Sequence, residues 1–135
     1  MVASGCKFLD MGHAYAEIEL ANPRDPSVEP VHVRALADSG SIFLCIPEWI
    51  ATRLGLEAVP DREVTLADGS RRKVPYAGPV QLRFGNRTCF VGALVFGDQT
   101  LLGAVPMEDL DLVINPRLRL VEVNPESLDR PGTRM

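Results

Sequence analysis

The sequence predicts an all-β domain with one or two small helices. Three observations carry that reading: period-two alternation near the start, apolar runs of strand length, and Asp-Gly, Gly-Asn and Asn-Pro pairs spaced between such runs as turns. The chain has 135 residues, the size of one domain able to bury a substantial core.

Each element has its own signal. From His13 to Leu20, HAYAEIEL sets Ala14, Ala16, Ile18 and Leu20 against His13, Tyr15, Glu17 and Glu19, the pattern of a half-buried strand. The stretch NPRDPSVEP, with three prolines in nine residues, is a loop. Val31 to Ala37 is a second strand that runs straight into Asp38. In PEWIATRL, Pro47 suits the first helical position, Ile50 and Leu54 fall one turn apart, and Gly55 suits the left-handed cap. Asp68-Gly69, inside VTLADGSRRKV, marks a hairpin, and so does Gly85-Asn86 between VQLRF and TCFVGALVF. A second short helix is expected from Pro106, in PMEDLD, before Asn115-Pro116 separates LDLVI from LRLVEV. Residues 1–10 look unlike the rest and are read as an N-terminal extension, with Met11-Gly12 as an alternative start. Residues 11–126 form the domain. From Ser127, SLDRPGTRM has little to bury, so residues 127–135 are expected to be a loose tail.

Composition narrows the function classes. A net charge of -4 argues against a nucleic-acid or acidic-membrane partner, because phosphate demands a basic face, and Arg71-Arg72-Lys73 is too short to reverse that. Cys6, Cys45 and Cys89 are odd in number and widely spaced, as suits free thiols in a reducing compartment. No signal-peptide pattern opens the chain, and no apolar run approaches the ~18 residues of a membrane span, so a cytoplasmic protein is expected.

Most reactive constellations are missing. His13 and His32 fall on different strands, the cysteines lack ligand spacing and no HExxH occurs, so no metal is expected and each histidine reads as an ordinary strand residue. Cys45 and Cys89 read as small buried hydrophobes rather than nucleophiles. There is no GxSxG elbow to activate Ser39 or Ser41, and neither a Walker loop nor GxGxxG supports a nucleotide. No cofactor is implied.

Asp38 remains. An Asp-Ser-Gly after a strand is most simply an Asx-turn. Yet Asp38 stands between the apolar runs Ala35-Leu36-Ala37 and Ile42-Phe43-Leu44-Cys45-Ile46, so it should be partly buried. A buried carboxylate needs donors around it, which Ser39, Gly40 and Ser41 could supply.

Asp38-Ser39-Gly40-Ser41 resembles the Asp-Thr/Ser-Gly-Ala/Ser/Thr signature of aspartic peptidases. The adjoining IFLCIPEWIATRLGL is similar to the corresponding segment of bacterial retropepsin-like proteins. Leu101-Leu102-Gly103, about sixty residues downstream, resembles that family's second landmark of two apolar residues and a glycine before a short helix. The resemblance spans His13 to Pro125. It implies a retropepsin-like closed β-barrel, the acid protease fold, and a peptidase that needs no cofactor.

The resemblance also implies a mechanism. Two carboxylates share one proton, since like charges about 3 Å apart cannot both ionise, and the pair titrates as a unit. The chain carries one motif: Ala67-Asp68-Gly69-Ser70 lacks the residue between aspartate and glycine and reads as a turn. Two copies must therefore meet about a two-fold axis, giving a C2 homodimer with Asp38 facing Asp38. By the same resemblance, Ser39 would bond across the dimer, Gly40 would let the two backbones approach, and the Ser41 hydroxyl would bond an outer carboxylate oxygen. Val64 to Val74 would be the flap over a peptide or protein substrate, with its tip at Ala67, Asp68, Gly69 and Ser70. Leu101, Leu102 and Gly103 would pack against the active loop. The flap tip lacks the glycine-rich sequence of viral retropepsins, and Ala104-Val105-Pro106 stands where the family often has a polar residue. Two other readings stay open: a non-catalytic retropepsin-fold dimerisation or peptide-binding module, and an unrelated small β-barrel.

Overall fold

The computed structural model describes residues 13–133, so the extension read over residues 1–10 lies outside the described residues. Along the chain run β1 (Ala14–Ala21), β2 (Val31–Ala37), β3 (Leu44–Ile46), α1 (Glu48–Leu54), β4 (Glu57–Thr65), β5 (Arg71–Phe84) and β6 (Arg87–Val95). They are followed by β7 (Leu101–Leu102), α2 (Ala104–Asp109), β8 (Leu112–Asn115) and β9 (Leu120–Val123). The architecture is the expected one, mostly β with two short helices.

The alternation in HAYAEIEL is realised side chain by side chain: Ala14, Ala16, Ile18 and Leu20 are buried. β1 pairs antiparallel with β2, from Ala14 opposite Ala37 to Leu20 opposite Val31. Its far end pairs with β5, Leu20 opposite Leu82. The ring β1–β2–β7–β3–β6–β5 thereby closes on itself as a six-stranded barrel, with β4 flanking β5 and the β8–β9 pair attached beyond β1. Leu20, Leu44, Ile46, Val80, Leu82 and Leu102 fill the interior. Each such side chain contributes about 1.5–3 kcal/mol of transfer free energy.

α1 lays Ile50 and Leu54 onto this core. Pro47 is its N-cap rather than its first helical residue, with extended backbone at φ -64 and ψ 157. Gly55, at φ +64, ends it. Asn22, in the proline-rich loop, turns its amide under that end and donates to Leu54 O at 3.0 Å. α2 begins at Ala104, two residues before the expected Pro106. Gly103 O accepts from Met107 N–H there, and a proline in the first turn loses no helical hydrogen bond.

The β4–β5 hairpin is longer than VTLADGSRRKV suggests. β4 starts at Glu57 and pairs with β5 back to Gly78, with a bulge between Val59 and Arg62. Pro60 sits in that bulge on an edge strand, a place where a missing N–H is tolerated. At the tip, Leu66 N–H donates to Ser70 O and Gly69 N–H to Leu66 O. Gly69 is at φ +86, so the loop is a three-residue turn closed by a left-handed glycine. Outside the barrel this hairpin covers a second apolar cluster: Cys45, Val74 and Leu94, flanked by Phe43, Val64, Tyr76, Phe96 and Leu101.

Residues 128–133 expose their side chains, yet the backbone is tied down. Arg87 is completely buried and donates to Leu110 O at 2.8 Å, to Asp111 O and to Ser127 O. Asp111, at φ +55, accepts from the Ser127 hydroxyl, the Asn124 amide and Gly132 N–H. No helix among the described residues is long and apolar enough to cross a membrane.

Candidate active site

β2 delivers Asp38 to the point where it meets β7. The two strands run parallel, Leu36 beside Leu101 and Ala37 beside Leu102, and Asp38 N–H donates to Leu102 O at 3.0 Å. The chain then reverses: Ser41 N–H donates to Asp38 O at 3.0 Å, and Gly40 N–H donates to Asp38 Oδ1 at 3.0 Å. Asp38 is thus a half-buried carboxylate held in an Asx-turn. A Cβ on Gly40 would stand 3.2 Å from that same oxygen.

The second landmark forms the loop's support. Ala104 N–H donates to Ser41 O at 2.8 Å and Val105 N–H to Ile42 O at 2.9 Å. A Cβ on Gly103 would lie 2.4 Å from Phe43 O and 2.7 Å from both Ile42 C and Ser41 O. Only glycine permits the two segments to lie this close. The structure therefore brings Asp38, Gly40 and Ser41 together with Leu101, Leu102 and Gly103.

Other residues are placed apart from the carboxylate. Ser39 is exposed, and its hydroxyl makes no hydrogen bond within the described residues. Ser41 departs from expectation: its hydroxyl donates to Phe43 O at 3.4 Å and lies 3.9 Å from Cys45 Sγ rather than meeting Asp38. Ala67, Asp68, Gly69 and Ser70 are exposed at the hairpin tip, which no hydrogen bond joins to the Asp38 loop among the described residues. Asp68 accepts from the Ser70 hydroxyl and then its N–H. Those bonds hold its carboxyl below the usual range.

A shallow cleft opens beside the carboxylate, lined by Ala37, Asp38, Ser39, Ala104, Met107, Glu108 and Ile114. Sequence reasoning did not single out Glu108 or Ile114, because nothing local signals that α2 and β8 border Asp38. Around this side three aliphatic residues are exposed: Ile42 at 60%, Val105 at 43% and Ile114 at 39%.

Cys45 and Cys89 sit in unreactive settings. Burial chiefly raises the Cys45 pKa, the Ser41 hydrogen bond opposes that rise, and the Asp38 charge adds to it. Burial, then Asp109, pushes Cys89 up to about 12. His32 lies 3.5 Å from Glu19 on the barrel wall, and no group of His, Cys, Asp or Glu suited to a metal gathers among the described residues.

No protein-family model matches the chain, and no curated protein matches it. Similar solved structures include the simian foamy virus protease, at 17% identity and a TM-score of 0.43, covering 67% of this chain and 90% of that one. A retropepsin-like aspartic protease from Rickettsia conorii is 15% identical at a TM-score of 0.44, with 76% and 87% covered. A Legionella pneumophila protein of unknown function is 11% identical at 0.43, with 77% and 93% covered.

Proposed function

We propose that the chain is one protomer of a homodimeric aspartic endopeptidase in which Asp38 of each copy forms a proton-sharing pair. The observation that carries this reading is the Asp38 loop itself. It holds a half-buried carboxylate on a braced turn, with an open side bordered by exposed Ile42, Val105 and Ile114. Exposed aliphatic residues gathered beside a polar site favour a protein partner, and a second copy would supply the missing carboxylate. Ser39, with its hydroxyl unengaged, would bond across the two-fold axis.

In the dimer, the ionised carboxylate takes a proton from a bound water as the water oxygen attacks the peptide carbonyl carbon. The protonated carboxyl donates to the carbonyl oxygen, giving a neutral tetrahedral diol. Collapse breaks the C–N bond: the proton taken from water passes to the leaving nitrogen, and a diol hydroxyl returns its proton to the other carboxylate, which leaves a carboxylic acid, an amine and the one-proton pair restored. The β4–β5 hairpin would cover the substrate and exclude water. The buried free thiols Cys45 and Cys89 are in keeping with a cytoplasmic setting.

The competing reading is a peptide-binding dimer without hydrolysis. The Ser41 hydroxyl, turned from the carboxylate to Phe43 O, is the observation on its side.

The test is cleavage of a mixed peptide library by wild type and Asp38→Asn across acidic to neutral pH, alongside sedimentation. Asparagine matches the shape but cannot act as the ionised base. We expect a dimer, a bell-shaped pH profile for wild type and no cleavage by a folded mutant. A folded mutant that still cleaves, or a monomer that does, refutes the mechanism.

A further inference from the structure

The β4–β5 hairpin has two chemically different faces. Arg62 is opposite Val74 and Val64 is opposite Arg72, so these four share one face. Val64, Val74 and, two residues on, Tyr76 pack with Phe43, Cys45 and Leu101. Phe43 and Cys45 continue the chain from the Asp38 turn, and Leu101 leads into Gly103. The face that carries Arg62 and Arg72 is therefore the one turned toward the structures that hold Asp38.

On the opposite face Glu63 stands opposite Lys73 and 3.9 Å from Arg71, so that face has a carboxylate of its own. The inner face has two arginines and no carboxylate. Arg62 Cζ lies 4.3 Å from the Tyr76 ring centre and 4.9 Å from that of Phe43, themselves an edge-to-face pair. Arg72 Cζ lies 5.3 Å from the Phe96 ring centre. Neither makes an ion pair within the described residues, and Asp61 in the adjacent bulge makes none with them. A guanidinium stacked on a ring uses its flat face and keeps its N–H fork for a planar anion. On a chain of net charge -4, two ring-held cations lacking a counter-charge form a selective feature.

We propose that Arg62 and Arg72 form a cationic subsite that selects peptides bearing a carboxylate side chain close to the bond processed at Asp38. This inference rests on the peptidase reading. The ring clamps restrain both side chains before binding, so less rotamer freedom is lost when the carboxylate arrives.

The test uses fluorogenic peptide pairs that differ only by Glu or Gln at successive positions around the cleaved bond. Wild type should favour Glu at one position by about tenfold or more in kcat/KM, the size of one charge-assisted bidentate contact. Arg62→Gln combined with Arg72→Gln should erase that preference, and Arg62→Lys should keep only part of it, since lysine lacks the planar fork. Cleavage with no Glu preference, or a preference that survives the double substitution, overturns the subsite and leaves the peptidase reading standing. If no peptide is cleaved, the peptidase reading fails. Fluorescence anisotropy of the same peptides on Asp38→Asn then decides the subsite: tighter binding of Glu peptides supports it, and equal binding overturns it.

Discussion

Gly103→Ala tests the bracing of the Asp38 loop most directly. Gly103 has φ -82 and ψ -173, a conformation alanine adopts without strain, so any cost comes from contact. The new methyl would stand 2.4 Å from Phe43 O, whereas ordinary contact begins at 3.4 Å, so the backbones must separate by about 1 Å. Three bonds cross that gap: Asp38 N–H to Leu102 O at 3.0 Å, Ala104 N–H to Ser41 O at 2.8 Å and Val105 N–H to Ile42 O at 2.9 Å. Such a displacement carries them past hydrogen-bonding range. With roughly 1 kcal/mol for each bond and a similar amount for overpacking, the loss is about 2–5 kcal/mol. Urea unfolding measures it, with Gly97→Ala as control. At Gly97 a Cβ meets nothing within 4 Å, but φ is +79, so only a backbone cost of about 1–2 kcal/mol applies. Peptide cleavage should fall sharply for Gly103→Ala and stay near wild type for Gly97→Ala. A Gly103→Ala protein within about 0.5 kcal/mol of wild type, well below the overpacking range, would refute the close-contact argument.

Arg87→Met should cost about 3 kcal/mol or more, since the carbonyls of Leu110, Asp111 and Ser127 lose a buried donor. Limited proteolysis should then cut the C-terminal segment first, and an unchanged urea midpoint would contradict this. Cys45 and Cys89, both with raised pKa, should resist iodoacetamide at about pH 8 until denaturant is added, because little thiolate forms. Rapid labelling of Cys45 or Cys89 in the folded protein would restore that cysteine as a nucleophile. Asp111 is lowered to about 2, first by the Ser127 hydroxyl and then by Gly132 N–H and the Asn124 amide. Its carboxylate therefore stabilises the fold above the ordinary carboxylate range, and that contribution fades as pH falls toward about 2. The protection of the Gly132 amide, its exchange relative to the intrinsic rate at each pH, should fall over that interval, and Asp111→Asn should remove that pH dependence.

β1 was legible because its alternation records one-sided burial over His13 to Leu20, and β2 appears over Val31–Ala37, where the run into Asp38 announces it. β4 was not, since Glu57 to Glu63 is an exposed edge with charges and Pro60, and its pairing with β5 leaves no apolar period to read. Within the candidate site, Asp38 and its turn stand out because local chemistry makes them. Glu108, Ile114 and the inward arginines do not, because only tertiary register brings them near. Arg87 is the sharpest case: nothing in GNRT marks it, yet the carbonyls of Leu110 and Ser127, from distant parts of the chain, converge on it.

β5 belongs to two bodies at once. Its first part is a leg of the hairpin, and its last part, Val80 to Phe84, is a stave of the barrel, with the register break between Ala77 and Val80 at the changeover. A polypeptide strand hardly stretches, so a pull on the tip reaches that break as torque, as at the fulcrum of a lever. The stave beyond it is the one that meets β1 through Leu82 and Leu20. A load on the hairpin tip thus reaches the seam at which the barrel wall is closed, and the stiffness of that seam sets how far the tip can be displaced.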